Sequence, residues 1–212
     1  MSNLPNSEDT VLRYTLPERI VHWVSALVYL YLLATGLAFY TPTLWWLAGF
    51  LGGGQTIRFW HPFAGLGFVA SVIWMWTRWG KDMHITDVDR RWNLTVLNYI
   101  RNQDDRLNPA GRFNTGQKHF FWTMLLGGLA LLASGLVLWF TDSLPWSLRW
   151  LRYGAVLVHV TAFLCTVAGF IVHVYMGTAV VRGGFASVIR GEVSRKWAHI
   201  HHPLWLEEIT KK

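Results

Sequence analysis

An all-α integral membrane protein, a four-helix bundle with both termini cytoplasmic, is the fold class this sequence predicts, and three observations carry it. Tyr153 to Val181 is a run of 29 residues without a charge, longer than the roughly 20 apolar residues that one bilayer crossing needs. Hydrophobic residues make up 52% of the chain, with 14 Trp among them, which is too apolar for a soluble domain of 212 residues. The 19 Lys and Arg avoid the apolar runs and gather between them. That is a topology signal rather than a phosphate-binding face, so nucleic acid is not an expected partner despite a net charge of +7.

Taken in order, the first nineteen residues are polar, contain Glu8, Asp9 and Glu18, and lack the apolar core of a secretory signal. The mature chain is expected to begin near Met1. Thr15 as N-cap, Pro17 in the first turn and Glu18 three residues after Thr15 predict a helix start, and the first span covers about 20–40 with His22 in its first membrane turn. Pro42 and Gly52-Gly53-Gly54 break the chain. A second span is expected at about 61–77, with His61 at its entrance and Trp74, Trp76 and Trp79 at its interfacial exit.

Residues 78–118 form the longest polar stretch, with a short surface helix expected from Trp92 to Arg101. A third span follows at about 119–140. After a loop containing Pro145 comes the fourth, 153–181, and then a basic tail, 182–212, whose Arg190–Lys212 part is expected to be solvated and lipid-facing, with contact to a partner subunit left open by the residues. Two Lys or Arg precede the first span, eight lie in loop 78–118 and six in the tail, against one and two in the opposite loops. The positive-inside rule places both termini, the long loop and the tail in the cytoplasm. The single cysteine, Cys165, cannot form an internal disulfide, and without C-x-x-C-H or a set of thiols there is neither a c-type haem nor an iron–sulfur cluster in this chain. A metal would have to be held by histidine.

Four histidines sit in or beside the spans. His159 and His173 are fourteen residues apart on one helix, so at about 100° per residue they return to nearly the same face, roughly 21 Å apart along the axis. Gly169 and Gly177, four residues either side of His173, predict a groove for a flat cofactor. A membrane histidine can also simply bond a neighbouring helix, but ionisable residues are costly there, and two in register weigh toward function. Under the predicted topology His61 and His159 share the outer depth and His22 and His173 the inner. Two imidazoles per depth suit bis-histidine b haem, a closed coordination shell fitted to electron transfer. A tetrahedral zinc site wants more ligands. Pro62 and Gly65 would let the ring approach. His84, His119, His199, His201 and His202 are expected to be solvated or interfacial.

Several blocks of sequence carry a resemblance. Arg13-Tyr14-Thr15-x-Pro17-Glu18-Arg19-Ile20-x-His22-Trp23, Arg58-x-x-His61-Pro62-Phe63, Gly111-Arg112-x-Asn114-x-Gly116-Gln117-Lys118 and His159 followed by His173-x-Tyr175 resemble the cytochrome b (gamma) subunit of respiratory formate dehydrogenase. The resemblance runs from about residue 11 through His202-Pro203-x-Trp205. It implies a subunit of the bacterial cytoplasmic (inner) membrane carrying two haem b, the outer on His61 and His159 and the inner on His22 and His173. It implies a quinone site, for menaquinone or ubiquinone, at Asn114, Gly116, Gln117 and His173. It also implies two partners, an iron–sulfur subunit that delivers electrons and a molybdenum or tungsten subunit that oxidises formate. Amide side chains suit a quinone because they can donate to its oxygens; they also cap helices. Thr115 stands where the family's pattern leads us to expect a bulkier aromatic. Cytochrome b subunits of nickel–iron hydrogenase or thiosulfate reductase, and a haem-free membrane anchor, are the alternatives left open by the residues themselves.

Overall fold

The structure, a computed structural model, describes residues 10–211. Glu8 and Asp9 of the expected polar leader lie outside the described residues. Among the described residues the regular structure is helical apart from one two-stranded ribbon. In order the elements are β1 (Thr10–Leu12), α1 (Leu16–Tyr40), the short α2 (Trp46–Phe50), α3 (Gly54–Trp79), α4 (Asp87–Asn93), α5 (Val96–Ile100), α6 (Thr115–Trp139), α7 (Trp150–Tyr175), α8 (Gly184–Arg190), β2 (Glu192–Ser194), α9 (Arg195–His201) and α10 (Pro203–Thr210).

Three helical stretches are long and apolar enough to cross a membrane: Leu16–Tyr40, Thr115–Trp139 and Trp146–Val180. Apolar side chains stand outward on them, Leu157 at 70% and Ile171 at 61% exposure, as a lipid-facing surface requires. The helix α3 is as long, 26 residues, but Arg58 and its indoles make it less apolar. It also begins seven residues before His61. Gly52 and Gly53 adopt φ of +89° and +91°, left-handed values that glycine tolerates, and the helix starts directly after them. His61 therefore lies two turns inside α3 rather than at its entrance, with Pro62 within the helix.

The helix start at Thr15 is as expected in outline. The Glu18 carboxylate reaches back to accept from the Thr15 N–H at 2.8 Å and its hydroxyl at 2.9 Å. The expected surface helix over Trp92–Arg101 is two helices, α4 and α5. The side chain of Thr86 caps the first in a reciprocal box with Asp89. At its far end α7 passes into a π turn, Met176–Val180, a local widening that often accompanies function.

The chain forms two compact units. One comprises residues 23–76 and 122–169. Its helices meet through small and hydroxylated residues: Ser25 donates to Ser71 at 2.9 Å, and a Cβ at Gly127 or Gly36 would lie 2.6 Å from Thr166 or 3.0 Å from Phe163. Without a hydrophobic driving force in lipid, close backbone approach of this kind is what holds helices together.

The other unit comprises residues up to 22, 77–121 and 170–212. Here β1 and β2 pair antiparallel, Val11 opposite Val193, and Val11, Val193, Ala198 and Trp205 form a small core. A second core gathers Trp92, Tyr99, Ala110, Val180 and Val181. The tail expected to face lipid is thus partly a packed element, its indole of Trp205 only 5% exposed.

Candidate functional site

Four histidines meet in two pairs. In the unit of residues 23–76 and 122–169, His61 of α3 faces His159 of α7 with ring centres 6.5 Å apart. In the other unit His22 of α1 faces His173 of α7 at 6.4 Å. An imidazole nitrogen lies about 1 Å from its ring centre and about 2 Å from a bound metal, so two imidazoles gripping one ion have centres about 6 Å apart. Face-to-face contact brings rings closer, as Phe120 on His173 at 4.1 Å and 6°, although tilted pairs such as Tyr40 and Phe163 also stand 6.2 Å apart. Both His pairs have a separation compatible with one metal between them. Among the described residues no cluster of three or more His, Cys, Asp or Glu converges. Two imidazoles fit a haem, whose macrocycle supplies the other four donors.

Hydrogen bonding aims the first pair. The Thr35 hydroxyl lies 2.6 Å from His61 Nδ1 and also donates to the Tyr31 carbonyl at 2.9 Å. With its one proton committed, Thr35 accepts from Nδ1–H, and the lone pair of His61 is left on Nε2. Ser134 does the same for His159: its hydroxyl donates to the Ala130 carbonyl at 2.7 Å and lies 2.9 Å from Nδ1. Metal-bound histidines are oriented by such partners. Gly135 gives the ring its space, since a Cβ there would stand 3.3 Å from His159 Cε1. Neither hydroxyl carries a motif, so the sequence gives no signal for them beyond a polar residue in an apolar span.

Asn114, Gly116 and Gln117 lie at the start of α6. Asn114 Oδ1 accepts from the Gln117 N–H and Gln117 Oε1 from the Asn114 N–H, both at 3.0 Å. The amide pair is therefore a reciprocal helix cap. Asn114 Nδ2 donates to the Tyr99 hydroxyl at 3.2 Å. The Gln117 Nε2 group carries no hydrogen bond within the described residues, and Gly116 is exposed. Thr115 is 1% exposed and donates to the Asp89 carbonyl at 2.9 Å; it binds the loop rather than shaping an open pocket.

Charges fix the surrounding segment. Lys118 and Asp89 form a buried ion pair at 2.8 Å, and Lys118 also donates to the His84 carbonyl. Burial favours the neutral acid, but Lys118 and the Thr86 cap outweigh it and hold the Asp89 carboxyl below its usual range. Arg112 bridges Glu18 at 2.6 Å and Asp82 at 3.0 Å. Against the burial that lowers it, these carboxylates raise its pKa.

Of the five remaining histidines, His84, His119 and His199 are exposed as expected. His201 is half-buried. His202 corrects the expectation: it is 1% exposed, with Nδ1 bonded to the Gly111 carbonyl at 2.8 Å. Burial first, then the neighbouring Arg13 charge, push its pKa well below the usual value, so it is neutral at physiological pH. Arg13, 2% exposed, lies over the Trp205 ring at 4.5 Å, and desolvation lowers its pKa.

Comparison with known proteins identifies the family. The family model of prokaryotic cytochrome b561 matches residues 13–191. The cytochrome b556(fdo) subunit of formate dehydrogenase from Escherichia coli K12 is 33% identical over 204 residues, covering 96% of this chain and 95% of that one. The nitrate-inducible cytochrome b556(Fdn) subunit of the same organism is 29% identical, covering 95% and 92%. The formate dehydrogenase cytochrome b556 subunit of Haemophilus influenzae is 33% identical over 216 residues, covering 100% and 90%. Long apolar helices, paired membrane histidines and near-full-length similarity converge: the chain belongs to the prokaryotic cytochrome b561 family and, within it, is similar to the cytochrome b556 subunits of formate dehydrogenases.

Proposed function

We propose that this chain is the di-haem b membrane subunit of a formate dehydrogenase complex, passing electrons from an iron–sulfur partner to a quinone. The observation that carries the reading is the pair of His–His separations, 6.5 and 6.4 Å, each fitted to one iron. His61 and His159 would hold one haem b, and His22 and His173 the other. Bound there, b haem supplies reversible one-electron transfer. The chain's own work is to hold, orient and shield.

In this reading α1, α3, α6 and α7 all cross the bacterial cytoplasmic membrane, with both termini in the cytoplasm and the His61–His159 pair on the outer side. The distribution of Lys and Arg supports it. The α3 crossing is the least apolar, which a helix tolerates when its polar groups face its neighbours rather than lipid.

Quinone reduction consumes two electrons and two protons and yields the quinol. Gln117 Nε2, with a donor to spare beside exposed Gly116, supports placing one quinone oxygen at the N-terminus of α6. Asn114 holds Gln117 there through the reciprocal cap and is itself tied to Tyr99. With the protons drawn from the cytoplasm and formate oxidised outside by a molybdenum or tungsten partner, the cycle separates charge across the membrane.

The test is haem content. Purified protein should carry two b haems per chain by pyridine haemochrome, and His61→Ala should remove one while leaving the His22–His173 signal in a reduced-minus-oxidised spectrum. Colourless protein, or both haems retained in His61→Ala, would sink the reading. Copurification with formate-oxidising rather than hydrogen-oxidising activity decides the donor.

A further inference from the structure

Residues 107–114, which lead into the Asn114–Gln117 cap, have no regular secondary structure. Buried carbonyls in such a segment must find partners elsewhere. Three consecutive ones do, and all three partners come from the chain's two terminal segments. The Leu204 N–H donates to the Ala110 carbonyl at 3.2 Å, His202 Nδ1–H to the Gly111 carbonyl at 2.8 Å, and Arg13 to the Arg112 carbonyl. Arg13 and His202 also meet, Arg13 Nη2 lying 3.4 Å from His202 Nε2.

Proton accounting makes this one connected device. Because Nδ1 must donate to a carbonyl, Nε2 of His202 is an acceptor, and Arg13 is the donor that faces it. The order is Arg13 to His202 to Gly111, a polarised chain in a site where both side chains are almost fully buried. Aromatic faces complete it: the guanidinium lies over Trp205 at 4.5 Å, Tyr14 at 5.2 Å and Phe113 at 5.4 Å, and Trp197 packs on the His202 ring at 5.2 Å. The β1–β2 ribbon fixes the two segments to each other three residues from Arg13, Thr10 opposite Ser194.

We infer that Arg13 and His202 are positioning residues for quinone reduction: they clamp the 110–112 backbone and so set the register of Gln117, without touching the quinone. The inference rests on the reading above that Gln117 meets the quinone. It gives the C-terminal tail a task that its basic composition hides. Arginine suits this better than lysine because one guanidinium can serve a carbonyl, an imidazole and four aromatic faces at once.

The experiment uses the whole complex, its b haems reduced with stoichiometric dithionite and then mixed in a stopped flow with a short-chain soluble naphthoquinone. His202→Ala should raise the quinone concentration for half-maximal haem reoxidation about tenfold, with haem content and both b-type signals unchanged. Two further variants separate clamping from bulk. In His202→Asn the amide nitrogen takes the place of Nδ1 and keeps the bond to Gly111, so this variant should stay within about twofold of wild type. In His202→Gln the amide sits at the Nε2 position and keeps Arg13 but loses Gly111, so it should resemble the alanine variant. Equal half-saturation for the Asn and Gln variants overturns the clamp, as does loss of haem from both. Should His202→Ala fail to assemble, the Asn–Gln contrast still decides. Gln117→Ala is the control for the underlying reading: if it leaves half-saturation unchanged the quinone assignment fails, whereas an effect of Gln117→Ala without one from His202→Gln defeats the clamp alone.

Discussion

The two histidine pairs have nearly the same separation, 6.5 Å for His61–His159 and 6.4 Å for His22–His173, but different supports. In the first, each imidazole donates to a hydroxyl, Thr35 or Ser134, inside helices packed through small residues. In the second, His173 is stacked face to face on Phe120, and the unit around it is rich in ion pairs and ordered loop. A buried N–H in an apolar bundle must be satisfied locally, and a hydroxyl already bonded to its own helix does that without admitting water. The comparison teaches a division of labour. On the proposed function, the first site would be the dry, fixed relay and the second would lie among the groups that handle protons and quinone.

On the proposed haem assignment, the largest effects come from removing one of the four paired histidines. His159→Ala and His173→Ala should each cost one whole haem, but different ones, leaving complementary halves of the b-type absorption in redox-titrated spectra. If either substitution abolished both signals, the pairs would not be separate sites and the comparison would fail at once.

Next in size is the buried ion pair of Asp89 and Lys118, 2.8 Å apart. Asp89→Ala leaves a buried ammonium without its partner, a loss of about 3–5 kcal/mol. It should loosen the His22–His173 haem and lower the thermal midpoint while the His61–His159 signal persists. The pair also has a pH signature. Folding holds the Asp89 pKa below its usual value near 4, so its stabilisation is complete above about pH 4 and is lost only as pH falls through the depressed native value. His202 is kept neutral in the fold by a pKa far below the usual one, whereas the unfolded chain takes up a proton near about pH 6.5, so the stability its burial contributes is complete above about pH 7.5 and is lost progressively as pH falls through about 6.5. The melting temperature should therefore fall from about pH 8 to about pH 6 more in wild type than in His202→Asn, and identical profiles for the two would contradict the His202 assignment.

How much of this the sequence discloses follows from what each feature depends on. The pairing of the four histidines is legible because depth is arithmetic along a helix: fourteen residues return His173 to the face of His159, and the charge counts suggest an order for the spans. The start of α3 is missed because composition marks Gly52–Gly53–Gly54 as a break but not as a helix launch, which depends on two positive φ values. Thr35 and Ser134 are missed because a hydroxyl in an apolar run has many uses, and only the third dimension shows an imidazole beside it. His202 looks like one more histidine of a basic tail until the ribbon of Thr10–Leu12 with Glu192–Ser194 carries it under Trp197. Asn114 and Gln117 were open to two readings, cap and quinone donor, and the geometry realises the cap while leaving one amide nitrogen available for the other.

The hydroxyl supports themselves should be worth less than a ligand or an ion pair. Thr35→Val keeps shape and removes the acceptor, and loss of such a partner typically costs 10–100-fold in metal affinity. Haem dissociation from the His61–His159 site, followed by transfer to apomyoglobin, should accelerate by about that factor, with Ser134→Ala similar and the His22–His173 site unchanged in both. Acceleration at both sites would mean the hydroxyls act on packing generally rather than on one imidazole.

Phe120 offers the smallest and sharpest test. Its ring lies 4.1 Å from His173 at an interplanar angle of 6°, and aromatic stacking adds about 0.5–1.5 kcal/mol beyond burial. Phe120→Leu keeps most of the volume and removes the stack, so haem release from the His22–His173 site should quicken only about two- to tenfold. His173 would also gain rotational freedom, broadening the low-spin electron paramagnetic resonance signal of that haem alone. The same substitution should leave the His61–His159 site untouched, because its imidazoles are aimed by hydroxyls and not by a ring. An unchanged release rate and line shape would show that His173 is held by its haem rather than by Phe120, and the contrast between hydrogen-bonded and stacked support would collapse to two equivalent sites.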